Sequence, residues 1–545
     1  MTESAGTFPT DNLSPHPCRM SGSRGAFAYL LLAFAACVAM TAAAENPRYY
    51  IREYRVLGTK RLKDLEVEKA VYPFLGPGRT ADDVEKARQA LEKVYHDKGF
   101  QTVSVSVPSQ DPRYGVIRLQ VTETKVGRLR VNGARWFLPS RIKSEIPSVA
   151  EGSVPNLTQV QKEMIAANRL RDLRITPSLT PGREPGTVDI DLNVEDKMPL
   201  HGSLELNNRY SANTTPLRLN GGLSYGNLFQ LGHTLGLNFQ VAPENIRDAQ
   251  VYSGYYLARV SDKLSLMLQA TKQDSDVSTL GGAAVAGKGE IVGVRALVDL
   301  PTEKNFYQSF NFGIDYKNFS EDIIIGANTI SSPIEYYPIS ANYSAGWLAD
   351  NSYTEFNTSL NFHLRGMGSS ETDYQNKRYN SSGSFIYLRA DAAHTHDIKG
   401  GAQVYGKIQG QVSSGPLINS EQIAGGGLGN ARGYLEATSL GDNGVFGTVE
   451  LRSPSLIGSG KKTPASPAPS DEWRFHAFAD AGVLSMYDPL PGQQARSWFS
   501  SVGIGSRIQV HDHYHGSIDA AIPLVDEPDA RRGEVRVTFR GWADF

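Results

Sequence analysis

The C-terminal run of the chain alternates without a break. Val535, Val537, Phe539, Gly541, Ala543 and Phe545 fall on one side of an extended strand, and Glu534, Arg536, Thr538, Arg540, Trp542 and Asp544 on the other. One side needs an apolar medium and the other needs water, because burying unpaired charge is costly. A sandwich core offers no such pair of media. A membrane barrel does, with lipid outside and a wet lumen inside. The run ends on an aromatic residue, as outer-membrane barrels do, so Phe539 and Phe545 are read as the insertion signal.

The same texture begins after Met198. Leu235, Leu237, Phe239 and Val241 alternate with polar residues or glycine. So do Leu264, Leu266, Leu268 and Ala270; Phe356, Thr358, Leu360 and Phe362; and Val502, Ile504, Ile508 and Val510. There are about 16 such runs over about 350 residues, at hairpin spacing, so an antiparallel transmembrane barrel of about 16 strands is expected over 198–545. Composition agrees without deciding: 25 Tyr, 21 Phe and 53 Gly suit a large sheet with aromatic girdles. A net charge of -2 gives no sign of a nucleic-acid partner.

Upstream, Arg19 and Arg24 precede an apolar run from Ala26 to Met40, then Ala42-Ala43-Ala44. Charge, apolar core and small residues in that order read as a secretory signal peptide over 1–44, cleaved after Ala44. An uncleaved anchor and lipid attachment at Cys37, after Phe34-Ala35-Ala36, are the alternatives. Cys18 and Cys37 both fall inside this segment, so the mature chain has no thiol and no disulfide.

Between leader and barrel a pattern occurs twice. A strand at 50–56 is followed by a helix from Lys63 to Tyr72. A second helix opens at Thr80 and carries Val84, Ala87, Leu91 and Tyr95 on one face to Gly99. Strands at 102–107 and 116–121 complete the unit. The order recurs as a strand at 126–131, helices at 139–146 and 157–170, and strands at 175–179 and 187–194. Two α+β units of roughly 70 to 75 residues, 48–124 and 125–197, are therefore expected, each large enough for a helix-on-sheet core.

This repeated unit resembles a POTRA domain, with Tyr95-His96-Asp97-Lys98-Gly99-Phe100, Val105-Ser106-Val107-Pro108-Ser109-Gln110 and Gly115-Val116-Ile117 as its body. In the barrel region, Arg432-Gly433-Tyr434 follows Gly425-Gly426-Gly427-Leu428-Gly429, and Phe478-Ala479-Asp480-Ala481-Gly482 comes later. Together they resemble the signature pair of the outer-membrane-protein-85 superfamily, and Gly447 to Glu450 matches its pattern in the strand between. The resemblance implies a loop, about 419–443, folded back into the barrel, with Arg432 at its tip paired to Asp480. If Phe478, Asp480 and Gly482 face the lumen, Phe478 packs against the loop and Gly482 leaves space for it. A charge-assisted pair would tether the loop at a point, in a lumen wet enough to keep its energy small.

Two POTRA units point within the superfamily to the pore partner of two-partner secretion, similar to hemolysin secretion and activation proteins. Two features depart from that subfamily. About four residues separate the expected cleavage site from the first strand, which leaves no plug helix. The motif also reads Ala431-Arg432-Gly433-Tyr434, where an aliphatic residue and Phe are common, and Tyr is closer to the assembly relatives. The resemblance implies an outer-membrane location with the POTRA units in the periplasm. Its partners would be an unfolded exported protein, the surrounding lipid and lipopolysaccharide, and the barrel-assembly machinery during biogenesis. The alternatives are an assembly factor for other barrel proteins and a passive diffusion porin.

Enzymatic chemistry finds no support. The glycine run at 425–429 lacks the Lys-Ser/Thr ending of a phosphate loop. His511, His513 and His515 with Asp512 read as a solvated periplasmic turn rather than a metal site. Lys461 to Asp471, rich in Pro and Ser, reads as a flexible turn. No cofactor is expected.

Overall fold

The computed structural model describes residues 47–275, 277–278, 285–286, 288–325, 328–457 and 471–545. The leader with Cys18 and Cys37, and the Pro-Ser stretch up to Ser470, lie outside them. The described chain forms two units. One comprises residues up to Lys125 with 154–158 and 184–187; the other comprises 126–153, 159–183 and 188–545.

In the first unit, helices Asp64–Val71 and Ala81–Asp97 cover a sheet of three strands, Glu53–Leu57, Val116–Glu123 and Val103–Ser106, in that spatial order. Helical spacing places Ala87, Leu91 and Tyr95 on the buried face of the long helix. Period-two spacing sends Ile117, Leu119 and Val121 inward to meet it. The helix opens where the Asp83 carboxylate accepts the Thr80 N–H at 3.0 Å and its hydroxyl at 3.2 Å. Gly99, with φ +91°, follows its end. The sequence reading missed a strand at Gly76–Arg79, which pairs with Tyr49–Ile51. Gly-Pro-Gly-Arg carries no strand signal of its own.

The second unit begins with a module of the same element order. Strands Lys125–Asn132, Thr187–Asp196 and Leu173–Pro181 form a sheet in that spatial order, covered by helices Pro139–Glu145 and Leu157–Ala167. Its core gathers Ile142, Ile146, Val160, Met164, Ile190 and Leu192.

A closed antiparallel barrel of 16 strands follows. It opens at Leu200–Asn207 and closes at Arg536–Asp544. Phe306–Ile325 is long enough to pair with two segments, Asn328–Tyr336 and Ile339–Ala349, which form one interrupted strand. The break falls at Tyr337-Pro338, since proline has no N–H for the ladder. Wall residues alternate as expected. Val449, Ile504, Ile518 and Val537 are exposed on the outside, whereas Glu450, Asp480 and Asp519 are buried inside. The strand ends joined by short turns form the rim beside the second module. There Gln230 accepts from Leu138 N–H at 2.9 Å and donates to Trp136 O at 3.1 Å, and His201 meets Asp172 at 2.8 Å.

The seam is short. Ser203–Asn207 pairs with Arg540–Asp544. Beyond it the Asn208 carboxamide stands in for backbone, accepting from Phe539 N–H at 2.7 Å and donating to Val537 O at 2.9 Å. The ring of Phe545 lies on Gly202, where a Cβ would come within 2.3 Å of it, so the terminal aromatic is seated by an absent side chain. Phe539 and Phe545 belong to this seam and not to the site described next.

Candidate functional site: the inward loop and its anchors

The segment between strands Gln403–Ser413 and Asn443–Arg452 folds into the lumen. Its arms, Ile423–Gly425 and Ser439–Gly441, pair as a small ribbon. The glycine run supplies the tip. Gly426 and Gly427 adopt φ of +98° and +93°, and a Cβ on Gly426 would stand 2.4 Å from Leu435 O. Gly427 and Ala431 exchange backbone hydrogen bonds at 3.1 Å. This tight turn aims Arg432 at the wall.

Arg432 reaches two carboxylates. Its backbone N–H and Nε donate to Asp480 Oδ2 at 3.1 and 3.0 Å, and Nη2 donates to Oδ1 at 2.7 Å. Nη1 donates to Glu450 Oε1 at 2.6 Å. The guanidinium lies 3.4 Å above the Phe478 ring centroid. Thr448 and Ser501 hydroxyls donate to Asp480 at 2.9 and 3.2 Å. Behind the pair, Asp519 takes His476 at 2.6 Å and lies 3.8 Å from Arg432. The lumen is drier here than the sequence reading supposed: the Arg432 and Asp480 side chains are 4 % and 0 % exposed. Phe478 on one side and the folded loop on the other exclude water.

Tyr434 packs edge-on against Phe499, with centroids 5.0 Å apart, and its hydroxyl lies 2.9 Å from Val525 O. Gly433 passes so close to the wall that a Cβ would meet Pro523 N at 2.9 Å. Gly482 faces the lumen as expected, but it makes room for the ring of Phe446 rather than for the loop itself. Phe446 in turn packs on Phe499 beneath Tyr434.

A single point tether was expected; among the described residues the loop has four charged anchors. Arg209, just past the first barrel strand, donates through Nε and Nη2 to Glu436 at 2.7 and 3.3 Å. Glu421 is 1 % exposed and receives Lys317 Nζ, Tyr336 Oη and Tyr387 Oη, each at 2.6 Å. Asp442 is paired by both terminal nitrogens of Arg378 and also accepts the backbone N–H groups of Leu417 and Tyr487 at 2.9 and 2.7 Å. Arg378 follows a helix, Glu371–Lys377, absent from the sequence reading. The loop is thus fixed to the wall, to the seam strand and to two neighbouring loops.

The histidine turn stands apart. His513 Nδ1 meets Asp544 O at 2.8 Å and His515 Nε2 meets Asp544 Oδ1 at 3.0 Å. Among the described residues no group of three or more His, Cys, Asp or Glu is placed to hold a metal.

Comparison with known proteins follows the same division. The ShlB-type POTRA domain family matches residues 49–124. The family described as haemolysin secretion/activation protein ShlB/FhaC/HecB matches residues 186–508, more than half of the chain. The outer membrane transporter CdiB of Dickeya dadantii (strain 3937) is 22% identical over 487 residues, 85% of this chain and 81% of that protein. CdiB of Escherichia coli O6:K15:H31 is 22% identical over 506 residues, 89% and 80% of the two chains. Among solved structures, CdiB from Escherichia coli superposes with a TM-score of 0.60 at 20% identity, covering 93% of this chain and 92% of its own. BamA from Haemophilus ducreyi lacking POTRA domains 1-3 gives 0.54 at 14%, covering 91% and 100%. A closed barrel of this family with a POTRA domain lies in the outer membrane of a Gram-negative bacterium, the POTRA domain in the periplasm. The chain belongs to the haemolysin secretion/activation protein ShlB/FhaC/HecB family.

Proposed function

We propose that this chain exports an unfolded partner protein across the outer membrane, receiving it in the periplasm through two POTRA domains, 48–124 and 125–197. The observation that carries this reading is a lumen occupied by a loop held at discrete ion pairs. A passive porin has no use for four anchors, whereas a transporter needs a closure that can be undone. Arg432, Gly433, Tyr434, Phe478, Asp480, Gly482 and Glu450 are its central part. Capture proceeds by strand addition at an edge of the POTRA sheet, where backbone hydrogen bonds give sequence-tolerant affinity. Val103–Ser106 is such an edge in the first unit, paired on one side with Val116–Glu123. Folding of the partner outside the cell opposes its return and supplies the drive.

Depletion of the chain tests this against the alternatives. Loss of one secreted protein from the medium supports export. A broad fall in outer-membrane barrel proteins would instead indicate an assembly factor, and intact protein export with reduced solute uptake would indicate a porin. A gene for a large exported β-helical protein beside this one would name the partner.

A further inference from the structure

On the short-turn side of Arg432 the lumen holds a chamber of about 490 Å³. Its wall carries Lys407, Arg452, Arg507 and Arg540, with the rings of Tyr405 and Trp542. Two of these guanidiniums lie over rings: Arg452 over Tyr405 at 4.4 Å and Arg540 over Trp542 at 4.7 Å. Trp542 is itself backed by His515, parallel within 8° at 4.8 Å. Each is also held from one edge. Arg452 spends Nε and Nη2 on Glu450, and Arg540 spends Nε and Nη2 on Glu205. Among the described residues Nη1 of each takes no part in these bonds, which leaves two N–H donors apiece on side chains that line the chamber.

Charge in the chamber is unevenly matched. Glu450 serves Arg432, Arg452 and Arg507 together. Lys407 has no carboxylate partner among the described residues, and the Arg507 side chain is 41% exposed. Arg452 and Arg507 meet at Glu450, but Lys407 and Arg540 are not paired there, so the four donors do not gather at one point. They sit on strands that span six neighbours, Gln403–Ser413 to Arg536–Asp544, about 24 Å of wall at a strand spacing of ~4.8 Å. A small anion would meet one or two of them. An extended polypeptide offers carbonyl oxygens at every residue and meets several in succession.

We infer that this chamber is a binding surface for an extended acidic segment of the exported polypeptide, engaged before the inward loop is displaced. The inference rests on the export reading and names a surface within it. The rings hold the guanidiniums rigid, so little conformational entropy is lost on binding, and the cationic excess favours acidic over basic segments. The chamber lies on the near side of the loop from the periplasm, so occupancy does not require the pore to open.

The test uses the full chain in detergent, with a benzophenone amino acid at Tyr405 and fluorescent unstructured Gly/Ser peptides carrying either Asp or Lys. The Asp peptide is expected to cross-link, the Lys peptide to do so far less, and the same probe at the outward-facing Ile504 to give no product. R452Q/R507Q should weaken the Asp-peptide reaction about tenfold, as expected for losing one or two charge-assisted hydrogen bonds in a partly wet site. K407Q, which breaks no ion pair, should weaken it without affecting the fold. Equal labelling by both peptides, or Asp-peptide labelling indifferent to K407Q and to R452Q/R507Q, overturns the inference. The assay contains no secretion step, so that result in a chain that still secretes its partner leaves the export reading standing.

Discussion

Arg432 and Asp480 are joined by three hydrogen bonds, one from the backbone N–H and two from the guanidinium, while a fourth runs from Nη1 to Glu450. Only a planar fork can do this, and a lysine ammonium cannot span both carboxylates and lie on Phe478. Arg432→Ala leaves buried Asp480 without its cation and takes from Glu450 one of its three, Arg452 and Arg507 remaining, a loss on the order of 3–5 kcal/mol for a buried pair broken from one side. We expect export of the partner to fall sharply and single-channel conductance in planar bilayers to rise or become noisy. Arg432→Lys should recover little of either. Normal secretion and unaltered conductance in Arg432→Ala would remove this pair from the mechanism.

The Arg209–Glu436 pair links the loop to the first barrel strand beside the seam. Both side chains are under 10% exposed, so removing one partner strands the other. Glu436→Gln and Arg209→Gln should each impair export, less than Arg432→Ala does, because the bonds of Arg432 to Asp480 and Glu450 remain. The exchanged pair Arg209→Glu with Glu436→Arg should restore part of the loss. Amide hydrogen exchange across 203–208 and 537–544 gives the second readout: it should quicken in Glu436→Gln. Seam exchange that does not respond would separate the loop from the seam.

Gly482 tests packing rather than charge. A Cβ there would lie 2.1 Å from the Phe446 ring, and Phe446 is buried against Phe499, which carries Tyr434. Gly482→Ala should cost about 1–3 kcal/mol of local overpacking and displace the loop tip. Phe446→Leu in the same chain should relieve it, read as partial recovery of export beside Gly482→Ala alone. Heat-modifiable migration on gels would show the barrel folded in both.

How far this site could be read in advance follows from the length of its links. The barrel was legible because period-two alternation is written locally, as at Val535 to Phe545. The helix carrying Ala87, Leu91 and Tyr95 was legible for the same reason at period 3.6. Arg432 and Asp480 were found through their neighbours, the glycine run and Phe478. Glu421, Glu436 and Asp442 had no such neighbours. Their partners lie 104, 227 and 64 residues away, and nothing local distinguishes these carboxylates from solvated ones. The helix Glu371–Lys377 escaped because it is about two polar turns with Tyr374 as its single buried residue. Gly482 was assigned to the right face, but its true neighbour, Phe446, is set by cross-strand register, which alternation alone does not specify.

The first unit should lose stability in acid. The Thr80 backbone N–H beside Asp83 holds that carboxyl below its usual range, and the Lys98 ammonium hydrogen-bonded to Glu66 does the same there. A carboxyl whose folded-state pKa is depressed stabilises the fold fully above its unfolded value, near ~4, and the contribution disappears as pH falls through the folded value. Thermal melts of the full chain followed at 222 nm report largely the helices outside the barrel. Their midpoint should be level from pH 7 to about 5 and fall below about 4. Asp83→Asn removes the carboxylate from the cap of Ala81–Asp97 and should lower the midpoint at pH 7. The gap between the two proteins should narrow steadily as the pH drops, because the parent's Asp83 is then protonated too. A gap as wide at pH 2.5 as at pH 7 would show that the cap acts through packing and not through its charge.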